Sequence, residues 1–197
     1  MSIKTICGGS LGTNSYIVDG LIFDYTPEVL AYIKQNNIEP KALFITHIHF
    51  DHIEGLKEFM DNFPAVPVYA SAEAKKNINN PEYTLMYGDN IDVQRITSLS
   101  DRTELTLAEH KIIAVKTPGH SVDSVSWFAE DLQCVFCGDL VFYHSIGRTD
   151  FTGGDLSELM CSVEKLFNYV NNDEIVLYPG HGPSTTVGEE KRFNPYL

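Results

Sequence analysis

Four apolar runs of strand length, well separated along this chain, each stop at a side chain that can bind a metal ion. Any fold the chain adopts must therefore either gather or scatter those four ends. Ala42-Leu43-Phe44-Ile45 runs into Thr46-His47-Ile48-His49-Phe50-Asp51-His52, which places three imidazoles and a carboxylate within six residues. Ile112-Ile113-Ala114-Val115 leads through Lys116-Thr117-Pro118-Gly119 to His120. Cys134-Val135-Phe136-Cys137-Gly138 leads to Asp139, and Ile175-Val176-Leu177-Tyr178-Pro179-Gly180 to His181. Pro-Gly suits the centre of a type II turn, with proline presetting φ and glycine taking φ > 0, so His120 and His181 are expected on stiff turns. In extended backbone, side chains at i, i+2 and i+4 share a face, which predicts His47, His49 and Asp51 together and His52 turned elsewhere. Seven candidate ligands result: His47, His49, Asp51, His52, His120, Asp139 and His181. Such a set suits two ions better than one, and carboxyl ends of strands are where open α/β sheets keep their chemistry.

Single histidines are usually core or surface polar residues. Five of the chain's seven histidines fall at these strand ends, which sets them apart. His110 and His144 lack that context. His110 reads as a surface residue, and His144 as a weak candidate for lining a substrate pocket through the loop 140–152. Asp24, after an apolar run, either orients a ligand histidine or serves the start of the following helix through its dipole.

At 197 residues the chain reads as a single domain, 1–197, able to bury a core without staples. No apolar run approaches a membrane span, and no leader-like stretch follows the start, so a cytoplasmic, reduced protein with no membrane partner is expected. The four cysteines do not form a disulfide framework. Cys134 and Cys137, three apart on a strand, face opposite sides and read as buried thiols. A net charge of −13 with no basic run excludes a nucleic-acid binder, which leaves a small-molecule substrate. Nothing bears on oligomeric state.

Residues 3–25 read as hairpin strands with a turn at Asp19-Gly20. A helix follows from Pro27 to about Asn36 with Thr26 as cap, and then the strand 42–46. Ile53, Leu56, Phe59, Met60 and Phe63 mark a helical face, and Val66-Pro67-Val68-Tyr69 a short strand whose proline implies an edge or a strand start. Residues 81–109 are polar and turn-rich. Strands are expected at 111–116, 124–129 and 133–137, and the clearest helix at 155–170, with Asp155 as cap.

Together, Asn14-Ser15-Tyr16, Asp24, the His47 to His52 segment, His120, Gly138-Asp139, Gly147-Arg148-Thr149-Asp150 and Pro179-Gly180-His181 resemble the metallo-β-lactamase-fold hydrolases, and within them the glyoxalase II (hydroxyacylglutathione hydrolase)-like branch. The resemblance implies an α/β (α+β) fold, an αββα sandwich of two mixed sheets with metals at one edge. It implies that His47, His49 and His120 hold one ion, Asp51, His52 and His181 a second, and that Asp139 bridges them. Zinc is the expected metal, with iron or manganese compatible. The implied reaction is hydrolysis of a small thioester or related ester by a hydroxide held between the ions, with Asp51 and Asp139 catalytic. An aspartate in the second site and no leader argue against a lactamase. Arg148 either grips a substrate carboxylate or braces its loop. Gly182-Pro183-Ser184-Thr185 differ from the usual glyoxalase pattern, and no helical domain follows His181 to clamp glutathione. Rival readings are a mononuclear iron persulfide dioxygenase, a lactonase of the same fold, or a non-catalytic binding module.

Overall fold

The computed structural model describes residues 2–85 and 90–197. Among them, six strands form a first sheet in which spatial order equals chain order: β1 (Lys4–Gly8), β2 (Thr13–Val18), β3 (Leu21–Phe23), β4 (Ala42–Phe44), β5 (Val68–Ser71) and β6 (Ile96–Leu99). The first three pair antiparallel, whereas β3 to β6 run parallel. Parallel neighbours need crossovers, which α1 (Pro27–Asn36), α2 (Phe50–Ile53), α3 (Leu56–Asn62), α4 (Ala72–Asn77) and α5 (Pro81–Thr84) provide on one face. The second sheet contains β7 (Glu104–Leu107), β8 (His110–Lys116), β9 (Val125–Ala129), β10 (Cys134–Gly138), β13 (Val176–Pro179) and β14 (Thr185–Thr186), in the order β14-β13-β10-β9-β8-β7. A small hairpin, β11 (Val141–Phe142) with β12 (Ser145–Ile146), precedes α6 (Leu156–Val170). The helix α7 (Val187–Phe193) follows β14.

The period-two alternation of the strands explains the layers. Tyr16, Val18, Leu21, Phe23, Ala42 and Phe44 point inward and meet Ile112, Ala114, Val125, Trp127, Cys134 and Phe136 of the other sheet. Their neighbours Ile17, Ile22 and Leu43 point outward into a core shared with α1, α3 and α4. Ile113, Val115, Phe128, Val135 and Cys137 do the same against α6. Cys134 and Cys137 thus lie in different layers. Aromatic rings bridge the sheets: Phe23 stacks on Phe136 at 3.6 Å between centroids, and Trp127 donates its indole N–H to Ile45 O at 3.1 Å.

Several local expectations change. Pro67 precedes β5, which lies inside the sheet between β4 and β6, so the proline marks a strand start rather than an edge. Thr26 sits at the N-cap of α1 without a side-chain cap bond, while Asp155 caps α6 by accepting from Glu158 N. The 81–109 stretch contains β6 and β7, and its residues 86–89 lie outside those described.

His110 is buried rather than on the surface. It opens β8 at the end of the sandwich opposite His120, and its ring is held between Asp131 (Nδ1, 2.7 Å) and Asp19 (Nε2, 3.0 Å). Burial lowers its pKa, but the two carboxylates outweigh burial and raise it above the usual 6.5. A raised folded-state pKa means that this clamp stabilises the fold fully below the unfolded pKa and that its contribution is lost as pH rises through the folded value. Unfolding by urea should therefore show wild type exceeding His110→Gln most at pH 6, with the gap shrinking toward pH 9. A gap independent of pH would contradict the clamp.

Candidate metal centre

The first apolar run delivers His47 and His49 in extended backbone, and the chain then turns into α2, with His52 N donating to His49 O at 3.0 Å. This turn overrides the shared-face expectation. A helical residue rotates about 100° from its neighbour, so Asp51 leaves the face of His47 and His49 and points at Thr13 and His181. His52 instead swings into the cluster beside His47, at 4.0 Å between ring centroids. Gly119 takes φ +128°, as the Pro-Gly reading requires, but Gly180 is not in the left-handed region, so the second Pro-Gly is not a type II turn. Gly180 serves close approach: a Cβ there would strike Asp139 Oδ1 and come within 2.5 Å of the His52 ring.

The four strand ends converge. Ligand atoms of His47, His49 and His120 lie within 4.8 Å of one another, as do those of His47, His52 and Asp139, and those of Asp51, His52 and His181. The two carboxylate oxygens of Asp139 face different neighbours, Oδ1 lying 3.4 Å from His52 Nε2 and Oδ2 lying 3.5 Å from His120 Nε2 and 3.6 Å from His181 Nε2. Asp51 Oδ2 accepts from Thr13 Oγ1 at 2.6 Å and lies 3.2 Å from His181 Nε2.

Outer partners set the tautomers. The Thr46 hydroxyl donates to Asp24 Oδ2 (2.7 Å), leaving its oxygen to accept from His47 Nδ1 at 3.2 Å. His52 Nδ1 donates to the same Asp24 oxygen at 2.7 Å, and His120 Nδ1 donates to Arg148 O at 2.7 Å. Each ring is thus anchored through Nδ1, with Nε2 turned inward. Asp24 also accepts from Thr46 N, and so serves this loop rather than the start of α1. The buried atoms His47 Nε2, His49 Nε2, His52 Nε2 and Asp139 Oδ1 have no hydrogen-bond partner.

Burial, reinforced by neighbouring imidazoles, holds His47 well below its ordinary pKa and brings His49 to about 3; burial likewise lowers His120. These three stay neutral and keep lone pairs. At His52 burial is outweighed by Asp24 and Asp139, and at His181 by Asp51 and Asp139, so both are raised. Burial would raise Asp51 and Asp139, but the facing histidines lower both, so the carboxylates stay ionised.

Two contributors, Asp123 and Thr13, lie outside the sequence reading of the site, and a third, Asn14, entered it only as part of the resemblance. Asp123, three residues after His120, accepts from Ile48 N at 2.9 Å and so fixes the backbone between His47 and His49. Asn14 donates to Pro179 O and Gly182 O (3.1 and 2.8 Å), holding the His181 turn from the other sheet, and Thr13 braces Asp51. Only spacing from His120 could have suggested Asp123, and nothing local marks Thr13. His144 pairs with Glu189 at 2.9 Å and does not line the cavity beside the cluster. That cavity, about 520 Å³, does include Arg148 in its wall.

The sequence pattern of the Metallo-beta-lactamase superfamily matches residues 11–181. The chain belongs to this superfamily. It is 32% identical to a probable metallo-hydrolase, YqgX, of Bacillus subtilis, over 96% of this chain and 94% of that one. It is 33% identical to the hydroxyacylglutathione hydrolase GloC of Haemophilus influenzae, over 84% of this chain and 79% of the relative. Among solved structures it resembles the BLEG-1 B3 metallo-beta-lactamase (TM-score 0.86, 31% identity, 100% and 99% covered). It also resembles TTHA1623 in a di-iron-bound form (TM-score 0.84, 27% identity, 98% and 100% covered). The two mixed sheets flanked by helices are the metallo-β-lactamase fold, and the chain is a metallo-hydrolase of that superfamily.

Gly180→Ala removes no polar group yet should push Asp139 from His52. Thermal unfolding should fall by about 1–3 kcal/mol, the usual range for overpacking, and metal bound per chain should drop. Unchanged stability and metal content would show that the close approach carries no constraint.

Proposed function

We propose that this chain is a dinuclear metal-dependent hydrolase of small thioesters or related esters. His47, His49 and His120 hold one ion, Asp51, His52 and His181 the other, and Asp139 reaches both. The observation that carries this reading is the set of three buried polar atoms without partners, His47 Nε2, His52 Nε2 and Asp139 Oδ1, all turned into one cluster that His49 joins through Nδ1. Leaving such groups buried and unmade costs about 1–3 kcal/mol each, which a bound cation relieves. Imidazole with carboxylate donors suits zinc, and iron equally, as in the similar di-iron structure. Similarity to a hydroxyacylglutathione hydrolase supports the thioester among possible substrates.

When bound, such ions supply an acidified water and a Lewis acid for the carbonyl. The protein's own contributions follow from the contacts. Asp24 and Arg148 O keep His52 and His120 in the tautomer that frees Nε2. Asp51, ionised and held by Thr13, is placed to accept the proton that the attacking water gives up. Asp139, ionised between three histidines, would offer one oxygen toward each ligand group.

Elemental analysis after metal repletion should approach two ions per chain, and full activity with one stable ion would overturn the dinuclear assignment. A panel of a thioester, a lactone, a β-lactam and a persulfide should show turnover of the thioester. Oxygen consumption with the persulfide, or β-lactam cleavage alone, would replace the reading. Asp139→Ala should abolish hydrolysis and lower metal content, whereas His110→Gln should leave both unchanged. Asp24→Ala should weaken metal affinity about 10- to 100-fold, the range for removing a partner that orients a ligand. Metal competition titrations would measure it, and an unchanged affinity would remove Asp24 from the site.

A further inference from the structure

The cavity beside the cluster is walled mainly by Leu11, Phe50, Leu85, Phe142, Ile146 and Phe151. The described residues include every lysine and arginine of the chain, and among them Arg148 is the only one in this wall. Away from the cluster, an anionic substrate group at this wall would need its guanidinium, but the fork is already engaged. Arg148 Nε donates to Asp150 Oδ1 and Nη2 to Asp150 Oδ2, both at 2.6 Å, while its Cζ lies over the Phe151 ring, 4.1 Å from the centroid. Phe151 in turn meets His49 edge-on at 5.6 Å.

Exposed ion pairs usually yield to competitors, because holding two long side chains together costs entropy. This pair is better placed to persist. Its partner is two residues away on a short side chain, its geometry is bidentate, and its loop is fixed where Arg148 O accepts from His120 and where Gly154 N donates to Phe151 O at 2.9 Å. An incoming carboxylate would also meet the charge of Asp150 beside the remaining guanidinium protons.

We propose that the pocket selects a substrate that is uncharged and apolar where it meets the 148–151 wall, and that Asp150 determines this selectivity by occupying Arg148. The inference rests on the hydrolase reading above for the bond that is cleaved, but the selectivity belongs to the wall alone. A glutathione-type carrier, with its carboxylates, is disfavoured at this wall, and an alkyl or aryl group is favoured. Each added methylene that reaches the apolar wall should tighten binding about fourfold.

The test measures binding, separately from turnover, on metal-loaded protein. Calorimetry would use non-hydrolysable thioethers of equal length, ending in either a methyl or a sulfonate, the latter being a poor metal ligand. Wild type should bind the methyl-ended compound at least about tenfold tighter than the sulfonate. Asp150→Asn should strengthen sulfonate binding about 10- to 100-fold, the worth of a charge-assisted contact, while leaving the methyl compound unchanged. Arg148→Ala combined with Asp150→Asn should lose that gain. Asp150→Ser provides a second variant, with circular dichroism and metal content checking that each is folded. Equal binding of both compounds by wild type, or a ratio that Asp150→Asn and Asp150→Ser leave unmoved, would overturn the proposal. If the binding pattern holds but no thioester or ester is cleaved, the hydrolase reading fails and the wall's selectivity stands. If cleavage occurs without discrimination, the reverse is true.

Discussion

The contact between the two sheets at the foot of the first ligand segment is the constraint on which the rest depends. Trp127 is fully buried and donates to Ile45 O, and two residues earlier on the same strand Val125 N donates to Thr46 O at 2.8 Å. These bonds lash the end of β4 to β9 one residue before His47. With Phe23 stacked on Phe136 beneath them, the stagger of the sheets is fixed. Strand ends from β4, β8, β10 and β13 can then deliver their side chains to one edge. A one-residue slip of β9 or β10 within its sheet would turn Trp127 or Phe136 outward and displace the donors that follow, because side-chain direction alternates along each strand.

The cluster itself works against the fold. It concentrates buried imidazoles, with His49 Nδ1 and His120 Nε2 sharing a hydrogen bond of 2.9 Å, beside carboxylates that burial alone would neutralise. Two devices hold it. Outer partners anchor the Nδ1 side of His47, His52 and His120, and burial lowers the pKa of His47, His49 and His120 while the facing acids raise those of His52 and His181. The opposite end of the sandwich uses the same chemistry for a different purpose. His110 between Asp19 and Asp131 has both nitrogens satisfied, so it closes the β2–β3 turn onto the second sheet and leaves nothing free to bind.

The loop after Asp139 connects chemistry to recognition. Arg148 acts on the cluster through its carbonyl, which fixes His120, and on the cavity through its side chain, which Asp150 and Phe151 engage. A single residue therefore couples ligand orientation to the character of the wall. A substitution at the backbone of this loop would affect both, whereas one at Asp150 touches only the wall.

The sequence by itself determined the architecture and the list of candidate donors. Period-two runs such as Ile112–Val115 and Cys134–Cys137 specify which residues enter which layer, and ligands placed directly after them specify which strand ends matter. Those signals are local, carried by neighbours in the chain. What the tertiary structure decided is how the donors are oriented and whether each charge is free. The helical turn at Phe50 redirected Asp51 and His52 against the extended-strand reading. Asp24 meets His52 across 28 residues, and Asn14 holds Pro179 across 165. His110 became a buried clamp because Asp19 and Asp131, 91 and 21 residues away in the chain, meet its ring. The sequence left Arg148 open between gripping a substrate carboxylate and bracing its loop, and only the structure places its fork on Asp150. Hydrogen-bond direction and charge neutralisation depend on distances of about 3 Å, and for residues far apart in the chain only the packed sheets set those distances.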